Sequence, residues 1–370
     1  MKWLVSSIAA ALATLAAVCV ALADSYPLLV SELEIELDAA RRYRADPPLS
    51  RLHDLSTDTK ADLALQFDPY LAVRSRLRLD TSKEATGSRA FGDESLFVEE
   101  LHLSYERAWY GFLVGKFNPH FGTAWDAAPG VFGSDFAQDY EITEGIGAAA
   151  SATWETSGWG NHKLVGGMFF ADRTPLANTL FARPRSGADD VIRPGRRRLG
   201  DGGVANTRAP GSFSLTLEGE EIPVLNGFTY HLGLMRRAAG SGDQRDEWGY
   251  VVGLRRDWPV AAGLKLAPLV EYALLDGATG QHQRIHYLTT AAELTWMKWL
   301  LSLSHTSRII DEPADGSGPR GNDFHDRLLT TSIGYAFHAD LVLSGGWKRE
   351  RIESLTSQTV GLKLTYNLRN

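Results

Sequence analysis

A period of two that keeps returning along the chain constrains it most. Over stretches of about 9 to 12 residues, apolar and polar side chains alternate, and Gly, Pro, Asp or Asn ends each stretch. In residues 31–37, Leu33, Ile35 and Leu37 alternate with Glu32, Glu34 and Glu36. In residues 72–79 one face is mostly apolar and the other carries Arg74, Arg76 and Arg78. Phe228, Tyr230, Leu232 and Leu234 alternate with Thr229, His231 and Gly233; Val360, Leu362, Leu364 and Tyr366 alternate with Gly361, Lys363 and Thr365. Successive side chains of a strand point to opposite faces, so each stretch predicts a strand with one apolar and one polar face.

Sixteen stretches fit. They cover roughly 28–38, 60–68, 70–80, 95–106, 109–118, 142–155, 161–171 and 211–219, then 226–237, 246–257, 263–275, 284–296, 298–308, 326–338, 340–350 and 357–368. The gaps alternate in length. Those at 39–59, 81–94, 119–141, 172–210 and 309–325 are long, while Pro69, 107–108, 156–160, 220–225, 258–262, 297 and 339 are short; 238–245, 276–283 and 351–356 are intermediate. A secreted β-sandwich also alternates, but does not sort its loops into two length classes at opposite ends.

No stretch after the N-terminal segment approaches the 18 to 20 consecutive apolar residues that a spanning helix needs. In lipid, only a helix or a closed barrel satisfies every backbone N–H and C=O. The expected fold is therefore all-β: a transmembrane antiparallel β-barrel of sixteen strands, with short periplasmic turns and long external loops. A mean hydropathy of -0.18 suggests a soluble chain, yet averaging a lipid-facing row with a water-facing row gives the same number. Tryptophan agrees. Trp109, Trp154, Trp159, Trp258, Trp296 and Trp299 fall at or beside short turns, and Trp248 and Trp347 at strand ends near longer loops, as two interfacial girdles require.

Residues 1–23 read as a cleaved secretory signal: Lys2, an apolar run from Ile8 to Leu22, and Ala21-Leu22-Ala23 as the cleavage site. A retained anchor is the alternative; Val18 before Cys19 fits a lipoprotein poorly. Cys19 is the sole cysteine, so the mature chain has no disulfide or thiolate chemistry. Residues 24–370 give about 22 per strand with its connection, which leaves one barrel domain and no second one. A net charge of -7 argues against nucleic acid as a partner.

At this point the chain resembles bacterial outer-membrane porins of the sixteen-stranded type, from Gram-negative bacteria. The most family-like stretch is Gly115-Lys116-Phe117-Asn118-Pro119, continuing through Phe121-Gly122, Trp125-Asp126 and Pro129-Gly130 to Asp139-Tyr140-Glu141. The resemblance implies a cell outer membrane location, contact with outer-membrane lipid and lipopolysaccharide, insertion by the barrel-assembly machinery, and a homotrimer as the usual assembly. One departure is the C-terminus, where Leu368 stands in the slot usually held by an aromatic residue, ahead of Arg369-Asn370.

Sixteen strands leave an aqueous lumen, and alternation turns the polar rows inward. Arg74, Arg76 and Arg78 then form an inward row, with Glu100, His102 and Ser104 on the neighbouring wall and Lys116 on the next strand. Strand one offers Glu32, Glu34 and Glu36. By resemblance the 119–141 connection is the loop that folds back into the lumen as its constriction. It has apolar residues to pack inside (Phe121, Trp125, Val131, Phe132, Phe136, Tyr140) and acids (Asp126, Asp135, Asp139, Glu141) to line the passage. The expected eyelet sets these acids against the arginine row, so that a transverse field sorts solutes by charge and dipole; the alternative is a set of solvated lumen charges without special pairing. The 172–210 loop carries Arg183, Arg185, Arg193, Arg196, Arg197 and Arg198 against Asp172, Asp189, Asp190 and Asp201, which suits either a basic patch for anionic solutes and lipopolysaccharide phosphates or a solvated loop.

No catalytic motif is present: no G-x-S-x-G, H-E-x-x-H or G-x-x-x-x-G-K-[ST]. Pairs such as Glu293 and Asp311, His305 and Ser307, or His325 and Asp326 lack a recognised spacing. The expectation is a non-enzymatic porin without cofactor, catalytic residues or metal, passing small hydrophilic solutes by diffusion. A plug-less channel or receptor specific for an anion, sugar or siderophore is the alternative, as is a structural barrel closed by its own loops.

Overall fold

The peptide groups of the sixteen alternating stretches bond to neighbours on both sides. The computed structural model describes residues 26–182, 193, 195–222, 227–311 and 324–369; the expected signal at 1–23, with Cys19, lies outside them. The strands are β1 (Leu28–Ala45), β2 (Leu52–Gln66), β3 (Leu71–Thr81), β4 (Glu94–Glu106), β5 (Tyr110–Phe117), β6 (Gly145–Thr156), β7 (Gly160–Ala171) and β8 (Ser212–Ile222). They continue as β9 (Phe228–Arg237), β10 (Glu247–Arg256), β11 (Leu264–Asp276), β12 (Arg284–Trp296), β13 (Trp299–Asp311), β14 (Phe324–His338), β15 (Leu341–Ile352) and β16 (Leu355–Arg369). Each pairs antiparallel with the next, and β16 returns to β1 with Leu368 opposite Leu33 and Tyr366 opposite Ile35. The result is a closed sixteen-stranded barrel. Three strands of two to four residues (Arg89–Ala90, Phe181–Ala182 and Trp258–Ala261) add pairing near the rims.

Two boundaries depart from the sequence expectation. The expected long connection at 39–59 shrinks to 46–51, because β1 and β2 run on together to Arg42 opposite Leu52. At about 3.3 Å per residue the 18 residues of β1 are longer than the apolar band of about 25 Å requires, even when tilted. Beyond the band a strand needs no apolar row, so Ala39–Arg44 loses its alternation and stays a strand. The expected connection at 351–356 shrinks to a two-residue turn, with Glu353 and Ser354 at φ of 47° and 75°. That is the left-handed twist hairpins favour, reached here without glycine or asparagine.

Large apolar side chains such as Phe112, Leu215, Leu232, Leu288, Leu303 and Ile333 are exposed on the outer face. Trp109, Trp154, Trp159, Trp258, Trp296 and Trp299 are all exposed at the short-turn end, forming one girdle. No helix among the described residues is long and apolar enough to cross a membrane. The buried apolar cluster lies inside the barrel, on one side of the lumen: Phe117, Phe121, Tyr140, Met235, Val251, Leu269, Ala273 and Tyr287 belong to it. A charge on the lipid face should be costly. Leu303→Arg, near mid-height on β13, is expected to lose about 2–4 kcal/mol of unfolding free energy in lipid vesicles, measured by urea titration.

Candidate functional site

The passage is shaped by the connection between β5 and β6, residues 118–144, which turns into the barrel. Its anchor is Glu271 on β11, a side chain 1% exposed. Glu271 accepts four hydrogen bonds from the loop: from Thr123 N (2.8 Å), Thr123 Oγ1 (2.6 Å), Ala124 N (2.9 Å) and Tyr140 Oη (2.7 Å). These donors sit at the start of a single helical turn, α1 (Ala124–Ala127), and at the end of a 3₁₀ turn (Ala137–Tyr140). One carboxylate thus ties both legs of the loop to the wall. The rest of the inward row of β11 is Ala267, Leu269, Ala273 and Leu275, all buried, because the loop covers that wall.

From Glu271 the loop crosses the lumen. Val131 N donates to Ser332 Oγ at 3.0 Å. Gly130, at φ +95°, lies so close to the wall that a Cβ would stand 2.4 Å from Ser302 Oγ. The loop acids meet cations there. Asp135 lies 2.7 Å from Lys348 Nζ on β15, and Asp139 lies 2.7 Å from Arg308 Nη1 on β13 while accepting from Tyr287 Oη at 3.2 Å. Phe136 and Phe132 stack under the same two cations, 4.6 and 5.2 Å from ring centre to charge.

Arg74, Arg76 and Arg78 keep their nearest carboxylates on the wall itself. Arg76 grips Asp62 with two bonds of 2.7 and 3.1 Å. Arg78 does the same to Asp58 at 2.9 Å and reaches Asp80 and Glu99 at 3.1 Å. Arg74 lies 3.3 Å from Glu106. Glu99 reaches the lumen through a bulge: Arg76 pairs with Glu100 but Leu77 with Val98, so Glu99 is an extra residue and the inward parity of β4 switches there. The Glu99-Glu100 doublet is the only sign of this in the sequence.

The remaining expected residues divide. Glu100 lies 3.9 Å from Arg76 Nη1 and does not line the cavity. His102 is buried, its Nδ1 3.4 Å from the Lys116 carbonyl oxygen. Lys116 is fully buried, its Nζ 2.7 Å from Glu144 and 2.9 Å from Asp172. Arg193 from the long loop joins this network through two bonds to Glu144 and lies 4.0 Å over the Phe97 ring; Arg183, Arg185, Asp189 and Asp190 lie outside the described residues. Asp126 is exposed to the cavity and makes no ion pair among the described residues, and Glu141 faces the same space as Arg78. Missed by the sequence reading were Glu271, Glu99, Arg308 and Lys348. Glu271 carried a signal as a lone acid in an otherwise apolar Leu-Ala-Pro-Leu-Val-Glu-Tyr-Ala-Leu-Leu run, Glu99 only through its doublet with Glu100, and Arg308 and Lys348 none.

What stays open is a polar cavity of about 1230 Å³ between the loop and the walls of β1, β2, β3, β15 and β16. Sixteen carboxyl groups and eight cationic side chains line it, an excess of acid that wall pairing does not cancel. Burial pushes the Glu141 carboxyl up to about 7, although Arg78 pulls the other way. Burial also raises Asp139, against Arg308.

No family model matches the chain, and no curated protein does. Its fold is that of the outer-membrane barrels of Gram-negative bacteria, of the sixteen-stranded porin type. Similar solved structures include a loop L8 deletion mutant of OmpT, an outer membrane protein of Vibrio cholerae, with 9% identity over 92% of this chain and 99% of that one and a TM-score of 0.55. The outer membrane channel DcaP of Acinetobacter baumannii gives 12% identity over 92% and 96%, TM-score 0.55. OpdK of Pseudomonas aeruginosa, solved with vanillate, gives 9% identity over 92% and 99%, TM-score 0.52. At such identities the likeness is one of fold.

Two outcomes follow for the loop. Glu271→Ala orphans the buried Ala124 N–H and Tyr140 O–H, each at about 1–3 kcal/mol. It is expected to release the loop, seen as larger and noisier single-channel conductance in a planar bilayer. Because the Glu141 group is raised to about 7, it is charged at pH 8 and mostly neutral at pH 6. The K⁺/Cl⁻ permeability ratio should therefore fall as the pH is lowered between those values, and Glu141→Gln should flatten that dependence.

Proposed function

We propose that this chain is an outer-membrane porin, a water-filled channel for passive diffusion of small hydrophilic solutes, and that its constriction favours cationic ones. The observation that carries the reading is the twofold excess of carboxyl groups over cations around the cavity beside the in-folded loop. In a narrow passage with low-dielectric walls such an excess focuses a negative potential and concentrates cations. The arginine row then sets direction more than net sign. Clamped by Asp58, Asp62, Asp80 and Glu99, it gives one wall fixed dipoles, while Asp126 and Glu141 supply charge from the loop.

In this reading the tryptophan girdle seats the barrel at the lipid interface, next to outer-membrane lipid and lipopolysaccharide. β16 with Leu368 is the strand offered to the barrel-assembly machinery. An OmpT of Vibrio cholerae was solved in a trimer form, and we extend that assembly to this chain as a homotrimer.

Reversal potentials in a KCl gradient across planar bilayers test the proposal. Stepwise currents with cation preference are expected. The preference should be stronger at 0.1 M than at 1 M salt, where the screening length drops from about 10 to about 3 Å. Replacing Arg76 and Arg78 by Ser should raise it, and Asp126→Asn should lower it. Anion preference would overturn the charge assignment. The absence of steps in a correctly folded barrel would leave a closed structural barrel in its place.

A further inference from the structure

On the wall away from the acidic cavity, three side chains converge that the channel reading does not use. Glu218 on β8 and His231 on β9 are direct cross-strand partners, both on inward rows that alternate with the exposed Leu215 and Leu232. His120 reaches them from the first turn of the in-folded loop. The two imidazoles present the same atom to the same oxygen. His231 Nδ1 lies 3.2 Å and His120 Nδ1 3.6 Å from Glu218 Oε1, with the rings edge to face at 5.7 Å. One donor atom from each of the three lies within 4.8 Å of the others. His231 is buried and its Nε2 has no hydrogen-bond partner among the described residues, so the ring's polar contact runs through Nδ1.

We propose that His120, Glu218 and His231 form a binding site for a borderline divalent transition-metal ion, with Zn²⁺ as its representative. Two imidazoles and one carboxylate match the donor preferences of Zn²⁺, Cu²⁺ and Ni²⁺ and not those of Mg²⁺ or Ca²⁺, which take oxygen shells. Metal–ligand bonds of about 2.0–2.2 Å require the donors to draw together by roughly an ångström. His120 can supply that movement, since its side chain is 40% exposed on a loop. That exposure and the 23% of Glu218 leave a fourth position open to the lumen for water or a solute group.

Two neighbours work against the ion. Thr216 Oγ1 lies 3.3 Å from His120 Nδ1 and competes for it. Lys163, opposite Glu218 on β7, places a positive charge beside the site. A bound ion would tie the beginning of the loop to β8 and β9, a second tether besides Glu271 on β11.

The test is calorimetric titration of ZnCl₂, with MgCl₂ alongside, into the metal-stripped, folded full chain in detergent. One saturable Zn²⁺ per chain is expected, bound at least tenfold more tightly than Mg²⁺. His120→Ala, a change at a partly exposed loop position, and Glu218→Gln should each weaken binding by tenfold or more. Co²⁺ should give visible d–d bands that disappear in His120→Ala, a readout that does not need the buried His231 to be altered. Non-saturable Zn²⁺ binding, or binding unchanged when His120→Ala and Glu218→Gln are combined in one chain, overturns the proposal; the second result would place the ion on the acidic cavity. Metal binding and ionic current are measured separately, so failure of the channel reading would leave this result intact, and the converse holds.

Discussion

Hydrocarbon offers a peptide group nothing to bond with, and the pairing of β16 with β1 answers that constraint for the whole molecule. With Leu368 opposite Leu33 and Arg369 opposite Glu32, the sheet has no edge left to expose. Every other feature rests on this closure. It fixes which parity of each strand meets lipid and which meets the lumen, and it turns rows such as Glu32, Glu34 and Glu36 from an acidic stripe into one wall of a passage.

Closure alone would leave a wide hole. The loop at 118–144 narrows it by bringing an apolar cluster inside a barrel whose interior would otherwise be wet. The arrangement works because the loop carries its own satisfied polar groups. Glu271 takes up four donors at its legs, and Asp135 and Asp139 end on Lys348 and Arg308 at the far wall. The lumen is thereby divided into a side largely filled by the apolar cluster, against β10 to β12, and a charged side against β1 to β3, β15 and β16. The larger polar cavity lies on the side where carboxyl groups outnumber cations.

How much of this was legible depended on whether a feature is local or shared between strands. Strand parity was legible, since Leu33, Ile35 and Leu37 against Glu32, Glu34 and Glu36 declare two faces without reference to anything else. The girdle was legible because Trp109, Trp154 and Trp296 mark turns by their own chemistry. The ends of β1 and β2 were not, because a strand that stands above the membrane is held by its ladder partner and needs no apolar row. The partners of Asp135 and Asp139 were not legible either. Lys348 and Arg308 are about 170 to 210 residues away along the chain, and only the path of the loop across the lumen brings them together.

The sequence by itself determined the class of fold and the inward direction of its charged rows, because a period of two in a chain bound for lipid has one closed solution. Only the tertiary structure decided which charges cancel and which remain. Arg76 and Arg78 read in sequence as a basic row, yet Asp58, Asp62, Asp80 and the bulged Glu99 neutralise them from adjacent strands. Charge pairing is a matter of a few ångströms across the ladder. A one-residue bulge at Glu99 changes it, and no alternation pattern records the distance between two strands.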